Sequence, residues 1–100
     1  MIDSSITPTT KNIIVIHNGW GELSMLLALA KPQIKCFGVE KDEDKYIVAK
    51  YTAENRVDNL TISKEIDSEI YDINSTLTIL IEPANEDKRK YDYLKPIIIN

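Results

Sequence analysis

Residues Ile13–Leu29 read IIVIHNGWGELSMLLAL, and this stretch decides the fold. With Asn12 in front, Asn12–Ile16 is a continuous apolar run rich in β-branched residues, the pattern of a strand buried on both faces. Gly19-Trp20-Gly21 breaks the run. From Glu22 to Lys31 the chain is helical in pattern and apolar almost all round, through Leu23, Met25, Leu26, Leu27, Ala28, Leu29 and Ala30. A helix with so little polar face is expected to be largely buried against a sheet, and Pro32 ends it. A Gly-x-Gly turn between a buried strand and a buried helix lets a ligand approach the backbone closely and permits positive φ. The helix behind it points free N–H groups and a positive dipole end at that ligand.

Outward from this unit the alternation continues. Ile34–Glu40 is read as a second strand. Asp42 is placed as the N-cap of a helix running to about Asn55, with Glu43 and Asp44 at its positive end. Tyr46, Ile47, Ala49, Lys50 and Ala53 give that helix one apolar stripe plus alkyl stem. Leu60–Ser63 is a short third strand. In Lys64–Asn74, Ile66, Ile70 and Ile73 have the spacing of a short helix, but the acidic stretch also fits a loop. Thr76–Ile81 is the fourth strand. Acid before base in Asn85–Lys90 predicts a helix from about Asn85 to Leu94, and Ile97–Ile99 is the fifth strand. Strand–helix alternation implies parallel strands with right-handed crossovers. The expected fold is therefore α/β: a three-layer, doubly wound parallel sheet of about five strands in the order 3-2-1-4-5. Ligands of such sheets bind beyond the carboxyl ends of the strands, at the switch point between strands 1 and 4.

Composition bounds the function. One hundred residues fit a single domain, read as a polar, flexible segment over 1–11 and one domain over 12–100. A net charge of −4 argues against a nucleic-acid surface, which needs a basic face. The single cysteine, Cys36, excludes an internal disulfide and suits a reducing cytoplasm; its place in a strand makes it a core residue. No Cys/His cluster has metal-ligand spacing, so no metal is expected. No apolar stretch is long enough for a membrane span, and Met1–Lys11 lacks the features of a secretory leader.

The loop Gly19-Trp20-Gly21-Glu22-Leu23-Ser24, the acid Glu40 closing Gly38-Val39-Glu40, and Val57-Asp58-Asn59-Leu60 before strand 3 resemble the class I S-adenosylmethionine (SAM)-dependent methyltransferases. The resemblance covers roughly Asn12 to Asp67. It implies a Rossmann-type fold, SAM as cofactor, and a binding set of Asn18, Gly19, Trp20, Gly21, Glu40 on the ribose, and Asp67 near the adenine. Two positions depart from the pattern. Val15 stands where the family places an acid that helps hold the methionine amino group, and His17 stands where its first glycine belongs. The strands and substrate-binding insertions of complete members are absent from this chain.

These features suggest a cofactor-binding, methyltransferase-like domain without independent catalysis, carried as a module of a larger bacterial protein such as a lipid acyltransferase. Its expected partners are a small-molecule cofactor, other domains of the same protein, and a second copy through an edge strand. Two alternatives stand beside this reading. One is a regulatory dinucleotide-binding module, in whose Gly-x-Gly-x-x-Gly register His17 and Glu22 replace the first and third glycines. The other is a structural or interaction domain that has lost its ligand. His17, the only histidine, shows no marked carboxylate partner in the sequence and reads as structural. Glu82-Pro83 follows strand 4, where methyltransferases often face their acceptor, or simply ends the strand.

Overall fold

The computed structural model describes residues 5–66 and 71–100. Its five strands are β1 (Asn12–Ile16), β2 (Lys35–Val39), β3 (Leu60–Ser63), β4 (Thr76–Ile81) and β5 (Ile97–Ile99). They form one all-parallel sheet in the order β3-β2-β1-β4-β5. The helices are α1 (Glu22–Ala30), α2 (Glu43–Arg56) and α3 (Asn85–Lys90), the last followed by a 3-10 turn, Asp92–Leu94. The expected fold class and strand order are those observed.

Strand alternation divides the core in two. Ile13, Val15, Cys36, Leu60, Ile62 and Ile79 face Leu27 and Ala28 of α1 and Ala49 and Ala53 of α2. Ile14, Ile16, Val39 and Leu80 face the other way, toward Tyr91 and Leu94, with Phe37, Ile66 and Tyr71 packed alongside. Both faces of β1 are thus sealed, which explains its unbroken apolar run. Burial of each such Ile or Val side chain contributes about 1.5–3 kcal/mol. The second outer layer is much thinner than the first, because α3 has six residues and buries none of them.

Several local expectations need correction. Helix α1 is not buried all round: Leu26 and Leu29 are 64% and 58% exposed, and only Ser24, Leu27 and Ala28 are buried. One helix face meets the sheet, and apolar residues on the far side stay in solvent whatever their type. In α2 the same geometry leaves Ile47 and Lys50 outside, while the small residues Ala49 and Ala53 make the buried contact. The helix expected over Asn85–Leu94 splits at Tyr91, where Tyr91 and Leu94 turn inward onto the sheet. Within Lys64–Asn74, Ile66 and Ile73 lie in non-helical chain, and Ile70 falls outside the described residues.

The capping of α2 is as read: the Asp42 carboxylate accepts from the Lys45 N–H at 3.0 Å. At the other end of α1, Asn59 acts as a clamp. Its Nδ2 donates to the carbonyls of Ala28, Lys31 and Ile34 at 3.0, 3.2 and 2.9 Å. These include carbonyls that the end of a helix leaves without intrahelical partners.

Candidate functional site

The carboxyl ends of β1, β2 and β4 open into a cleft of about 580 Å³ bordered by His17, Gly19, Trp20, Glu40, Lys45 and Glu82, among others. Its floor is the turn after β1. His17, Gly19 and Gly21 all take left-handed backbone, at φ 61, 63 and 93. Glycine adopts these angles freely, whereas for His17 such backbone costs on the order of 1 kcal/mol or more. Gly21 is the N-cap of α1, so that helix's first turn borders the cleft through Glu22 and Leu23.

Glu40 organises this turn. It is 8% exposed, not a solvated strand end. One carboxylate oxygen accepts the Gly19 N–H at 2.7 Å and the other accepts the Asp42 N–H at 2.9 Å. A single side chain therefore ties the Gly-rich turn to the β2–α2 turn. Each carboxylate oxygen can accept more than one hydrogen bond, so both retain capacity for hydroxyl groups of a ligand.

The other residues singled out from the sequence fall into three groups. Gly19, Trp20 and Gly21 stand at the cleft with Glu40; Trp20 is half-exposed, with the Lys45 ammonium 5.9 Å from its ring centroid. Asn18 belongs to the same turn, but its polar atoms face inward. Its N–H donates to the Val39 carbonyl at 3.0 Å, and its carbonyl accepts from the Gly21 N–H at 3.1 Å. Its carboxamide, 5% exposed and without a hydrogen-bond partner, lies against Gly38, where a Cβ would sit 2.5 Å from Nδ2. Asp67 lies outside the described residues.

Two side chains in or beside the cleft, Lys45 and Asp87, escaped the sequence reading, whereas Glu82 was noted there as following strand 4. Lys45 projects from the first turn of α2, and Glu82 follows β4 at φ 42. Asp87, from α3, provides the carboxylate that His17 lacked: Nε2 lies 3.3 Å from Oδ2, in ion-pair range but without the alignment of a hydrogen bond. Asp87 also accepts the Ala84 N–H at 3.0 Å. That bond is the largest influence and, with His17 and Lys90, holds its carboxyl below the ordinary value, against an opposing effect of burial that ranks next after the Ala84 bond. The only advance signal was the acid-first order of Asn85–Lys90. Cys36, as expected, is a core residue, and burial pushes its thiol up to about 11.

A larger open cleft, of about 760 Å³, lies at the amino ends of the strands beside Lys11, Lys35 and Asp58. Among the described residues no Gly-rich turn or helix N-terminus serves it, and ligands of open parallel sheets bind at the opposite end. Size alone does not mark the site. Among the described residues no group of His, Cys, Asp and Glu could hold a metal ion, and no helix is long and apolar enough to cross a membrane.

No protein-family model and no curated protein matches the sequence. Solved structures do match the fold. PKMT2 from Rickettsia typhi in complex with AdoHcy superposes with a TM-score of 0.69 at 16% identity, over 86% of this chain and 18% of that one. A second structure of PKMT2 from Rickettsia typhi gives 0.60 at 16% identity, over 82% of this chain and 17% of that one. An RNA methyltransferase from Salinibacter ruber in complex with S-adenosyl-L-homocysteine gives 0.65 at 18% identity, over 93% and 60%. The chain thus spans less than a fifth of the first neighbour and three fifths of the last. At these identities the likeness is one of architecture, and the architecture is that of the class I methyltransferase-like α/β fold.

Proposed function

We propose that this chain is a SAM- or S-adenosylhomocysteine-binding domain of the methyltransferase type, with its ligand seated across the carboxyl ends of β2, β1 and β4. The observation that carries the reading is Glu40: a buried carboxylate, fixed by the Gly19 and Asp42 N–H groups, at the end of the strand beside the Gly-rich turn. A carboxylate held this way is pre-oriented to accept from paired ribose hydroxyls, and no conformational cost remains to be met on binding. The N-terminal turn of α1 suits the ligand's carboxylate. Two structures that share this fold were solved in complex with AdoHcy, also written S-adenosyl-L-homocysteine, which supports a ligand of this class.

Charge favours this reading over a dinucleotide module. Glu22, Glu40 and Glu82 border the cleft against Lys45. SAM is a net cation, whereas a pyrophosphate would meet like charge. The positions of the first and third glycines of a dinucleotide turn are His17 and Glu22, and His17 already adopts left-handed backbone without being glycine. We place the domain in a larger cytoplasmic protein, where other domains supply the acceptor.

Calorimetric titration with S-adenosylhomocysteine, SAM and NAD tests this. Micromolar binding of the first two, no binding of NAD, and loss of binding in a folded Gly21→Trp variant are expected. No heat from any ligand at millimolar concentration, or preference for NAD, contradicts it.

A further inference from the structure

The ionisable groups around the cleft differ in how far the protein has already committed them. Both oxygens of Glu40 accept backbone N–H groups. Glu22 sits in the first turn of α1, where the helix dipole already balances a negative charge. His17 leans toward Asp87. Val15 is fully buried and offers no polar atom at the end of β1. Glu82 is different in three respects. Its carboxylate has no hydrogen-bond or ion-pair partner among the described residues. Its backbone is held at φ 42, and its N–H donates to the Ile99 carbonyl at 2.6 Å, so β5 fixes the turn that carries it. The β1–β4 register pairs Ile16 with Leu80, which brings Glu82 beside the His17–Asn18 turn. A strained, tethered, unpaired acid therefore borders the cleft opposite the N-terminus of α1.

We propose that Glu82 is the specificity-determining residue for the tail of the ligand: it receives the primary ammonium of an aminoacyl group attached to the adenosyl thioether or sulfonium. This rests on the cofactor reading above. Under it, three attachments fall on three adjacent strand ends: ribose hydroxyls on Glu40 after β2, tail carboxylate on the α1 N–H groups after β1, and tail ammonium on Glu82 after β4. A carboxylate gives an ammonium leaving water its strongest hydrogen bond, and among the described residues Glu82 is the carboxylate of the cleft free of both a backbone N–H partner and a helix terminus. The same charge repels a phosphate at that point, so Glu82 selects an amino-acid tail over a phosphorylated one.

The test compares two probes on the full chain: S-adenosylhomocysteine, which carries the tail, and 5′-methylthioadenosine, which is the same nucleoside thioether without it. Glu82→Gln is expected to weaken S-adenosylhomocysteine about tenfold, the effect of losing a charge-assisted hydrogen bond, and to leave 5′-methylthioadenosine unchanged. Glu54→Gln, which removes an exposed carboxylate of α2 outside the cleft, is expected to leave S-adenosylhomocysteine binding unchanged. Equal loss for both probes in Glu82→Gln, no loss for either, or an equal loss in Glu54→Gln overturns the assignment while leaving the cofactor reading intact. Failure of the unsubstituted chain to bind either probe overturns the cofactor reading and the assignment together. Thermal melts of the variants, expected to match the parent, show that binding and not folding is being read.

Discussion

After β1 the chain leaves the sheet through His17 at φ 61, and after β4 through Glu82 at φ 42, so both turns begin with a non-glycine residue in left-handed backbone. Beyond that point they diverge. The β1 turn is tied to β2 by the Asn18 N–H to Val39 carbonyl bond and by Glu40, and it leads into nine residues of α1 whose inner face joins the larger core. The β4 turn is held by the Glu82 to Ile99 bond and leads into six helical residues, none buried. One side of the cleft is built as a rigid floor, and the other as a thin, charged rim. His17 and Asp87 are the contact between them. A ligand lying across both would draw its shape from the first and its charge selection from the second.

The strongest way to break this contrast is to disturb the floor from beneath. A Cβ at Gly38 would lie 2.5 and 2.8 Å from the Asn18 carboxamide and 2.9 Å from Ile62 Cδ1. Gly38→Ala is expected to cost about 2–3 kcal/mol, read as a lowered denaturation midpoint in urea. Gly19→Ala meets nothing within 4 Å and is expected to cost about 1 kcal/mol for its backbone alone. A reversed order of the two would mean that the floor is not packed as described. Next in size is Glu40→Ala, which leaves the Gly19 and Asp42 N–H groups without their acceptor. It is expected to cost about 2 kcal/mol and to abolish S-adenosylhomocysteine binding; binding that survived it would remove Glu40 from the site.

How much of this was legible in the sequence follows the same division. Asn12–Ile16 and Thr76–Ile81 announce themselves because a strand sealed on both faces needs unbroken apolar residues, and strand order follows from their alternation with helices. The Gly-x-Gly turn and Glu40 were visible as residue types, but not the bonds that join them. Leu26 and Leu29 misled because apolar composition does not say which side of a helix meets the sheet. The rim was least legible: His17 and Asp87 are brought together only by the β1–β4 pairing, which no local periodicity encodes. Asn59 was read only as part of an approach to β3, although its clamp reaches back 25 to 31 residues to the stretch from the end of α1 to the start of β2.

A smaller effect probes the rim. The folded Asp87 carboxyl lies below its ordinary value of 3.8, through the Ala84 N–H and then His17. Its stabilising contribution is therefore complete above that value and is lost as pH falls through the lower folded value. The melting temperatures of the parent and Asp87→Asn are expected to differ at pH 6 and to converge on acidification below about pH 4. A difference that stays constant with pH would show that the ionised carboxylate does not secure the rim. Smallest of all, the Cys36 thiol, raised by burial to about 11, is expected to resist alkylation at pH 8 until the chain unfolds. Because its folded value is raised, it contributes stability that is complete below the ordinary value of 9.0 and declines as pH climbs toward 11. Rapid labelling of the native chain would show that the larger core opens readily.

The most direct test of the central claim is an amide NMR titration with S-adenosylhomocysteine, which reads where the ligand sits as well as whether it binds. Saturable shifts are expected at Gly19, Gly21, Glu40, Lys45 and Glu82, with Lys11, Lys35 and Asp58 at the opposite end of the sheet unmoved. Shifts confined to that opposite end, or no saturable shift anywhere, would contradict a cofactor site at the carboxyl ends of β2, β1 and β4.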